Sequence, residues 1–408
     1  MSNVPKLRFS EFSGEWEEKK LENYGTLING LTYSPDNIVE NGLLVLRSSN
    51  IQNQQISFHD NVYVDLDIKE EYLTKENDIL ICVRNGSKRL IGKSLLIQNN
   101  LPKATHGAFM TVFRGESNKF ISHWFKTPIF FKEVYKNLGA TINSINGSDL
   151  KKFKTIFPPK QEQEKIASFL TLVDTKIEQL AKKEALLQEY KKGVMQKIFN
   201  QEVKFKDSDG RDFKDWKEDK LGNYINLFSG FAFKGTDISD NSQGIPLLRG
   251  INITEGRIRH SKEIDRFFCG EIDKLEKYFV KENDLVISMD GSKVGKNVAL
   301  IKNIDANALL VQRVARIREN RHSNIHFIYQ IIYSNYFVRY VDIVNTSSGI
   351  PHISSQQIKD FKFNFPSREE QTKIANFLSL IDKKIENTKN ELVKTKEFKK
   401  ALLQQMFV

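Results

Sequence analysis

Two sets of side chains in this chain have the composition of a nucleic-acid contact surface. In the first half these are Arg47, Ser48, Asn50, Arg84, Asn85, Ser87, Lys88, Arg89 and Lys93, with Thr105-His106 close by. In the second half they are Arg249, Asn252, Lys293, Lys296, Asn297, Gln312 and Arg313, with Arg257 and Arg259 nearby. Most lie just after short apolar runs, where a strand would end and a loop begin. Arg and Lys hold phosphates and read guanine edges, while Asn and Gln suit adenine. Asn50 and Asn252 recur at matching places, so they serve equally well as turn residues that hold a shared framework. Tyr33 and Phe233, which follow Gly30 and Gly230, read as core rather than as stacking platforms. The formal charge of +11 agrees with a polyanionic partner.

Catalytic patterns are missing by comparison. Gly86–Ser94 (GSKRLIGKS) has five residues between its glycines where a phosphate-binding loop needs four, and Gly291–Asn297 is shorter still. Phe157-Pro158-Pro159-Lys160 lacks the acid or amide that an amino-methyltransferase places before Pro-Pro, and no GxGxxG occurs. Pro35-Asp36 with Asp67-Ile68-Lys69 can be forced into a nuclease pattern, but the second half does not repeat it. The seven His show no metal-ligand spacing. The expectation is a protein that recognises rather than catalyses, with no metal and no cofactor of its own.

The elements that must carry these loops come from a repeat. EQEKIASFLTLVDTKIE, from Glu162 to Glu178, returns from Glu370 to Glu386 as EQTKIANFLSLIDKKIE, with twelve of seventeen positions identical. Ile166, Leu170, Val173 and Ile177, matched by Ile374, Leu378, Ile381 and Ile385, are spaced by four and three and form one helical stripe. Pro158-Pro159 and Pro366-Ser367 punctuate the entries, and carboxylates follow at the positive end of each helix dipole. No Gly or Pro intervenes before Gly193 in the first copy or before Val408 in the second. Each helix can therefore run about 38 residues, roughly 57 Å. Glu184, Lys191, Thr388, Thr395 and Lys399 fall at seam-like positions, where polar groups fix register at some cost in stability.

The halves match beyond the helices. Trp16–Tyr24 answers Trp216–Tyr224, and Leu46-Arg47 with Asn50-Ile51 answers Leu248-Arg249 with Asn252-Ile253. Glu76–Ile81 answers Glu282–Ile287, and Asn85–Lys88 answers Asp290–Lys293. Between these islands the copies differ almost freely, as expected of one framework carrying two unlike surfaces. Strands are predicted over 43–48, 79–83, 94–97 and 109–114, and over 245–248, 285–289, 298–301 and 311–317. Helices are predicted over 121–135, interrupted near Pro128, and over 325–341. The fold class is α+β: two mixed globular domains at 1–157 and 201–365, joined by long helices at 158–200 and 366–408. A pseudo-twofold from the duplication would make those helices an antiparallel coiled coil and bring the two chain ends together. Cys82 and Cys269 read as reduced thiols in a cytoplasmic protein, and no apolar run is long enough for a membrane span.

A Trp-x3-Lys-Leu start, Leu-Arg-x2-Asn-Ile, Pro-x3-Glu-Gln-x-Lys-Ile and a long helix, all twice, resemble the DNA specificity subunits of Type I restriction–modification systems. The resemblance covers essentially the whole chain. It implies a subunit without catalysis, whose two target-recognition domains each read half of a split, asymmetric site in double-stranded DNA. It also implies paired helices that set the gap between the halves. The implied partners are two modification subunits, which bind S-adenosylmethionine and methylate adenine, and restriction subunits in the full complex. Copy two departs in having Pro366-Ser367 for Pro158-Pro159, and Ala401 for Gly193. The resemblance lends no base-contacting residue. The alternative from a different class is a coiled-coil adaptor that bridges two proteins without DNA.

Overall fold

The computed structural model describes residues 3–52, 54–98, 101–138, 143–345 and 351–408. Two compact units are present: residues 1–184 with 388–408, and residues 185–387. Each contains one globular part and portions of two long helices.

In the first unit a four-stranded antiparallel sheet has the order Thr26–Asn29, Met110–Arg114, Ile79–Cys82, Ser94–Leu96. Its central strand is buried on both faces, as alternation of side chains dictates. Ile79 and Ile81 face a core that holds Phe113, Trp124 and Phe130, while Leu80 and Cys82 face a second core with Leu44, Leu46 and Val112. The second core is closed by another sheet, in which Leu43–Leu46 pairs parallel with Ala104–His106 and antiparallel with Val62–Val64. Glu17–Lys20 pairs with Lys154–Phe157. Three short helices cover the first core: α1 (Asn118–Trp124), α2 (Pro128–Lys136) and α3 (Gly147–Lys151).

The second unit repeats this topology. Its main sheet runs Ile225–Ser229, Val314–Glu319, Leu285–Ser288, Val298–Leu300, and Ile245–Leu248 again pairs parallel, with Leu309–Leu310. The long helices are α4 (Lys160–Phe199) and, after α5 (Ile325–Ile332), α6 (Asn335–Val344) and α7 (Ser355–Asp360), α8 (Arg368–Gln405). Two expectations are corrected. The single helix over 325–341 is two, because Ser334 adopts extended backbone and its hydroxyl bonds the Ile331 carbonyl, a break made without proline. The strand over 311–317 starts only at Val314, since Arg313 has a left-handed backbone (φ +67) that ends pairing.

The shared islands have physical reasons. Asn77 and Asn283 turn with positive φ (65 and 68) before the central strand. The following Asp78 and Asp284 are buried carboxylates that accept from Arg114 and Arg318. Gln163 and Gln371 each donate to the carbonyl of the proline that precedes their helix, Pro158 and Pro366, at 2.8 and 3.0 Å. Glu162 accepts from Nε and Nη2 of Arg8, whereas its counterpart Glu370 accepts from the indole N–H of Trp216.

Within the first unit, Ile166 and Leu170 near the start of α4 share a core with Leu402, Leu403 and Phe407 at the end of α8. Within the second, Ile198 at the end of α4 shares one with Ile374, Leu378 and Ile381 near the start of α8. In both, the helical segments therefore run antiparallel. Val173 and Ile177, and Ile385, continue the stripes half-buried. Lys399 and Lys191 are buried on them: Lys399 bonds Asp174 in the first unit, and Lys191 lies 2.6 Å from Asp382 in the second. Leu7 N–H bonds the Gln405 carbonyl at 2.9 Å, so the two ends of the chain meet as expected. No helix of the described residues is long and apolar enough to cross a membrane. Both cysteines are free; Cys82 is buried, which pushes its thiol up to about 11.

Candidate nucleic-acid interface

In each unit, several loops and turns converge at one end of the two sheets. The reason is strand direction: Leu43–Leu46 and Ala104–His106 are parallel and finish side by side, and the central strand Ile79–Cys82 ends toward the same place. In the first unit Asn85 Nδ2 donates to Ser48 Oγ at 3.0 Å, tying the loops after two strands together. Val83 and Arg84 N–H both donate to the Phe109 carbonyl, which adds the 107–109 turn. Leu31 bridges Gly107 and Arg84 bridges Ser144, which bring in two further segments. The second unit reproduces the frame. Met289 N–H donates to the Arg313 carbonyl, Phe231 bridges Val311, and Asp290 bridges His352.

Most of the residues singled out from the sequence are brought together on these two surfaces. Arg84, Ser87, Lys88 and Arg89 are exposed around the first. The Arg84 guanidinium lies 5.7 Å from the centroid of the Phe109 ring, and Lys88 Nζ is 5.7 Å from that of Tyr135. Arg47 is half-buried and pairs with Asp60 at 2.8 Å. Lys293, Lys296, Gln312 and Arg313 are exposed on the second surface, and Asn297 is half-buried. Lys293 pairs with Glu255 at 2.9 Å, and Arg249 donates to the Ile264 carbonyl at 3.3 Å. Among the described residues no side-chain partner is found for Lys296, Gln312 or Arg313, so these are free to meet a ligand.

Three candidates do not belong to the surface. Asn50 and Asn252 are buried, and their amides are spent on the loop itself. Asn50 Oδ1 accepts from Arg47 N–H at 2.8 Å, and its Nδ2 donates to the Ser57 carbonyl at 2.9 Å. Asn252 does the same with Arg249 and with the Arg259 carbonyl, both at 3.2 Å. They shape the loops that carry the contacts. Lys93 is turned inward, its ammonium bonded to the Ile51 carbonyl. Thr105 and His106, noted beside them, are buried strand residues that bond the Tyr72 and Ile28 carbonyls. Burial lowers the imidazole of His106 below its ordinary value, so it stays neutral.

Sequence reasoning missed Phe109, Phe231 and Asp290. Phe109 is 57% exposed in the turn before its strand, and Phe231 is 39% exposed on the segment that bridges Val311. Phe109 reads as the start of a strand and Asp290 as the acid of an Asp-Gly turn, so neither stood out from its neighbours. Phe233, in contrast, packs on a small core as expected. Among the described residues no group of three or more His, Cys, Asp or Glu could hold a metal ion.

Chemically, each surface can hold phosphates with its cations and also presents mixed donors, acceptors and an exposed aromatic ring. That combination is what base readout in a groove requires.

Known proteins place the chain in context. The family described as Type I restriction modification DNA specificity domain matches residues 13–188 and 213–395, one copy per half. The specificity subunit of the Type I restriction enzyme MjaVIII of Methanocaldococcus jannaschii is 27% identical over 349 residues, 82% of this chain and 79% of that protein. The specificity subunit of EcoKI from Escherichia coli K12 is 26% identical over 401 residues, 91% of this chain and 84% of that protein. In fold, the crystal structure of a Type I restriction–modification S subunit from M. genitalium matches with a TM-score of 0.66 at 18% identity, covering 99% of each chain.

Proposed function

The chain belongs to the Type I restriction–modification DNA specificity family, and from that membership and the two loop surfaces we propose how it works. It is the DNA-specificity subunit of a Type I restriction–modification complex, and acts in the cytoplasm. Each unit reads one half of a split, asymmetric site in double-stranded DNA with the loops at the end of its sheets. Arg47, Ser48, Arg84, Asn85, Ser87, Lys88 and Arg89 serve one half-site. Arg249, Lys293, Lys296, Asn297, Gln312 and Arg313 serve the other. The chain carries no catalysis itself. Two modification subunits, which bind S-adenosylmethionine and methylate adenine, dock on it, and restriction subunits join them.

Functionally the chain divides at 1–157, 158–200, 201–365 and 366–408. The helical parts act as an antiparallel coiled coil about a pseudo-twofold and set the gap between half-sites. The repeated heptad-like stripe and the antiparallel pairing inside each unit support this.

The observation that carries the reading is the contrast between frame and surface. Asn50, Asp78 and Gln163 recur in the second unit with the same bonds, while Arg84 and Arg89 on the first surface and Gln312 and Arg313 on the second have no counterpart of the same type. A scaffold must stay constant, and a reader must vary with its target sequence. The experiment replaces residues 25–157 with the equivalent part of a relative, in cells carrying the modification partners, and maps methylated adenines. One half of the motif should change and the other stay. A change in both halves would defeat the two-reader scheme. A chain with no salt-sensitive affinity for duplex DNA would be an adaptor instead.

A further inference from the structure

We infer that two adjacent positions on each surface, 84 with 109 and 290 with 313, hold the side chains that read bases, an inference that rests on the DNA-binding reading above. Sheet register makes the positions equivalent. Met110 pairs with Cys82 as Val314 pairs with Ser288, so Phe109 corresponds to Arg313 and Arg84 to Asp290. The Asn85-Gly86 and Asp290-Gly291 dipeptides, which look alike in sequence, are therefore offset by one residue in space.

What occupies these positions is unlike a phosphate clamp. In the first unit an aromatic ring stands 57% exposed beside a guanidinium. In the second a carboxylate stands next to the turn that carries an unpaired guanidinium. Neither a phenyl ring nor a carboxylate can hold a phosphate; the carboxylate repels one. Yet both belong to surfaces that also carry cations suited to phosphates, Arg47 and Lys88 in one unit, Arg249 and Lys293 in the other. A Cβ on Gly250 would lie 2.8 Å from Ser288 Oγ, so glycine is what lets the neighbouring loop close on the end of the central strand, with Asp290 in ordinary contact beside it. The equivalent residue in the first unit is Ser48.

Base edges fit these groups. A carboxylate accepts from the exocyclic amine of cytosine, a phenyl ring packs on the methyl of thymine, and a guanidinium bonds the acceptor edge of guanine. Phe109 with Arg84 and Asp290 with Arg313 thus give the two half-sites different chemistry on one backbone, with no change in the frame.

The test uses Phe109→Ala and Asp290→Asn in the full chain assembled with its modification partners. Methylated motifs are mapped, and duplex binding is measured against salt. Each variant should lose discrimination at one base pair of one half-site, roughly ten- to a hundredfold, leaving the other half-site intact. The slope of affinity against salt should not change, because no phosphate contact is removed. An unchanged motif overturns the inference, as does a uniform loss of affinity over all sequences. So does failure of either variant to assemble, which would mean the side chain holds structure. If the parent complex itself shows no split motif, the DNA-reading function fails first.

Discussion

The buried charges on the helices make an asymmetric prediction. In the first unit two ammonium groups share one carboxylate. Lys399, 7% exposed, bonds Asp174 Oδ1, and Lys126, 20% exposed, lies 3.8 Å from Oδ2. His123 is also 3.8 Å away, but burial holds its imidazole well below the ordinary value, so it adds no charge. Asp174→Asn strips the carboxylate from both lysines and leaves the buried Lys399 ammonium unpaired beside the half-buried one of Lys126, a loss of about 3–5 kcal/mol. For a unit of this size that lowers Tm by about 10 °C. Lys399→Met differs in kind. It removes one buried ion, keeps most of the volume, and leaves Asp174 paired with Lys126, so the cost is about 0–1 kcal/mol. Guanidinium unfolding of the full chain gives the totals, and hydrogen exchange over residues 118–136 and 388–405 assigns the loss to this unit. If Lys399→Met costs as much as Asp174→Asn, Lys126 does not share the carboxylate and the reasoning is wrong.

Three other outcomes follow from the same structure. Burial, then the charge of Lys399, pushes the Lys126 ammonium down to about 8, with Asp174 and Glu178 opposing. Unfolded lysine titrates near 10.4, so between about pH 8 and 10 the unfolded chain holds the extra proton and stability rises with pH. Denaturation curves across that window check the sign, and the rise should vanish in Lys126→Met. Asn50→Ala or Asn252→Ala leaves buried backbone groups unpaired and should cost about 1–3 kcal/mol, read as a lowered denaturation midpoint. A loss as small as that of an exposed residue such as Ser87→Ala would contradict their role in the frame. Four residues inserted near Lys182 lengthen α4 by about 6 Å with little rotation of its stripe, and should widen the gap in the methylated motif by about one or two base pairs. An active insertion variant with its gap unchanged would mean the helix does not act as the ruler.

Much was legible in the sequence because duplication repeats its own constraints. The helical stripe, the Asn-Asp turns and the proline-flanked Glu-Gln entries each encode local geometry, and local geometry survives reading one residue after another. Period and punctuation fixed the long helices to within a few residues of Lys160–Phe199 and Arg368–Gln405. They also marked the loops that bear the cations. The tertiary structure decided which polar residues face outward. Asn50, His106 and Lys93 have the same chemical types as true surface contacts, but a backbone carbonyl claims each of them, from its own loop for Asn50 and from distant segments for His106 and Lys93. It also decided that Ser334 breaks a helix and that Arg313 leaves a strand. Above all it placed Phe109 beside Arg84, and Asp290 one residue from the Arg313 turn. Those neighbours are joined by strand pairing across more than twenty residues of chain, and cross-strand register follows from the packing of two sheets rather than from any local pattern.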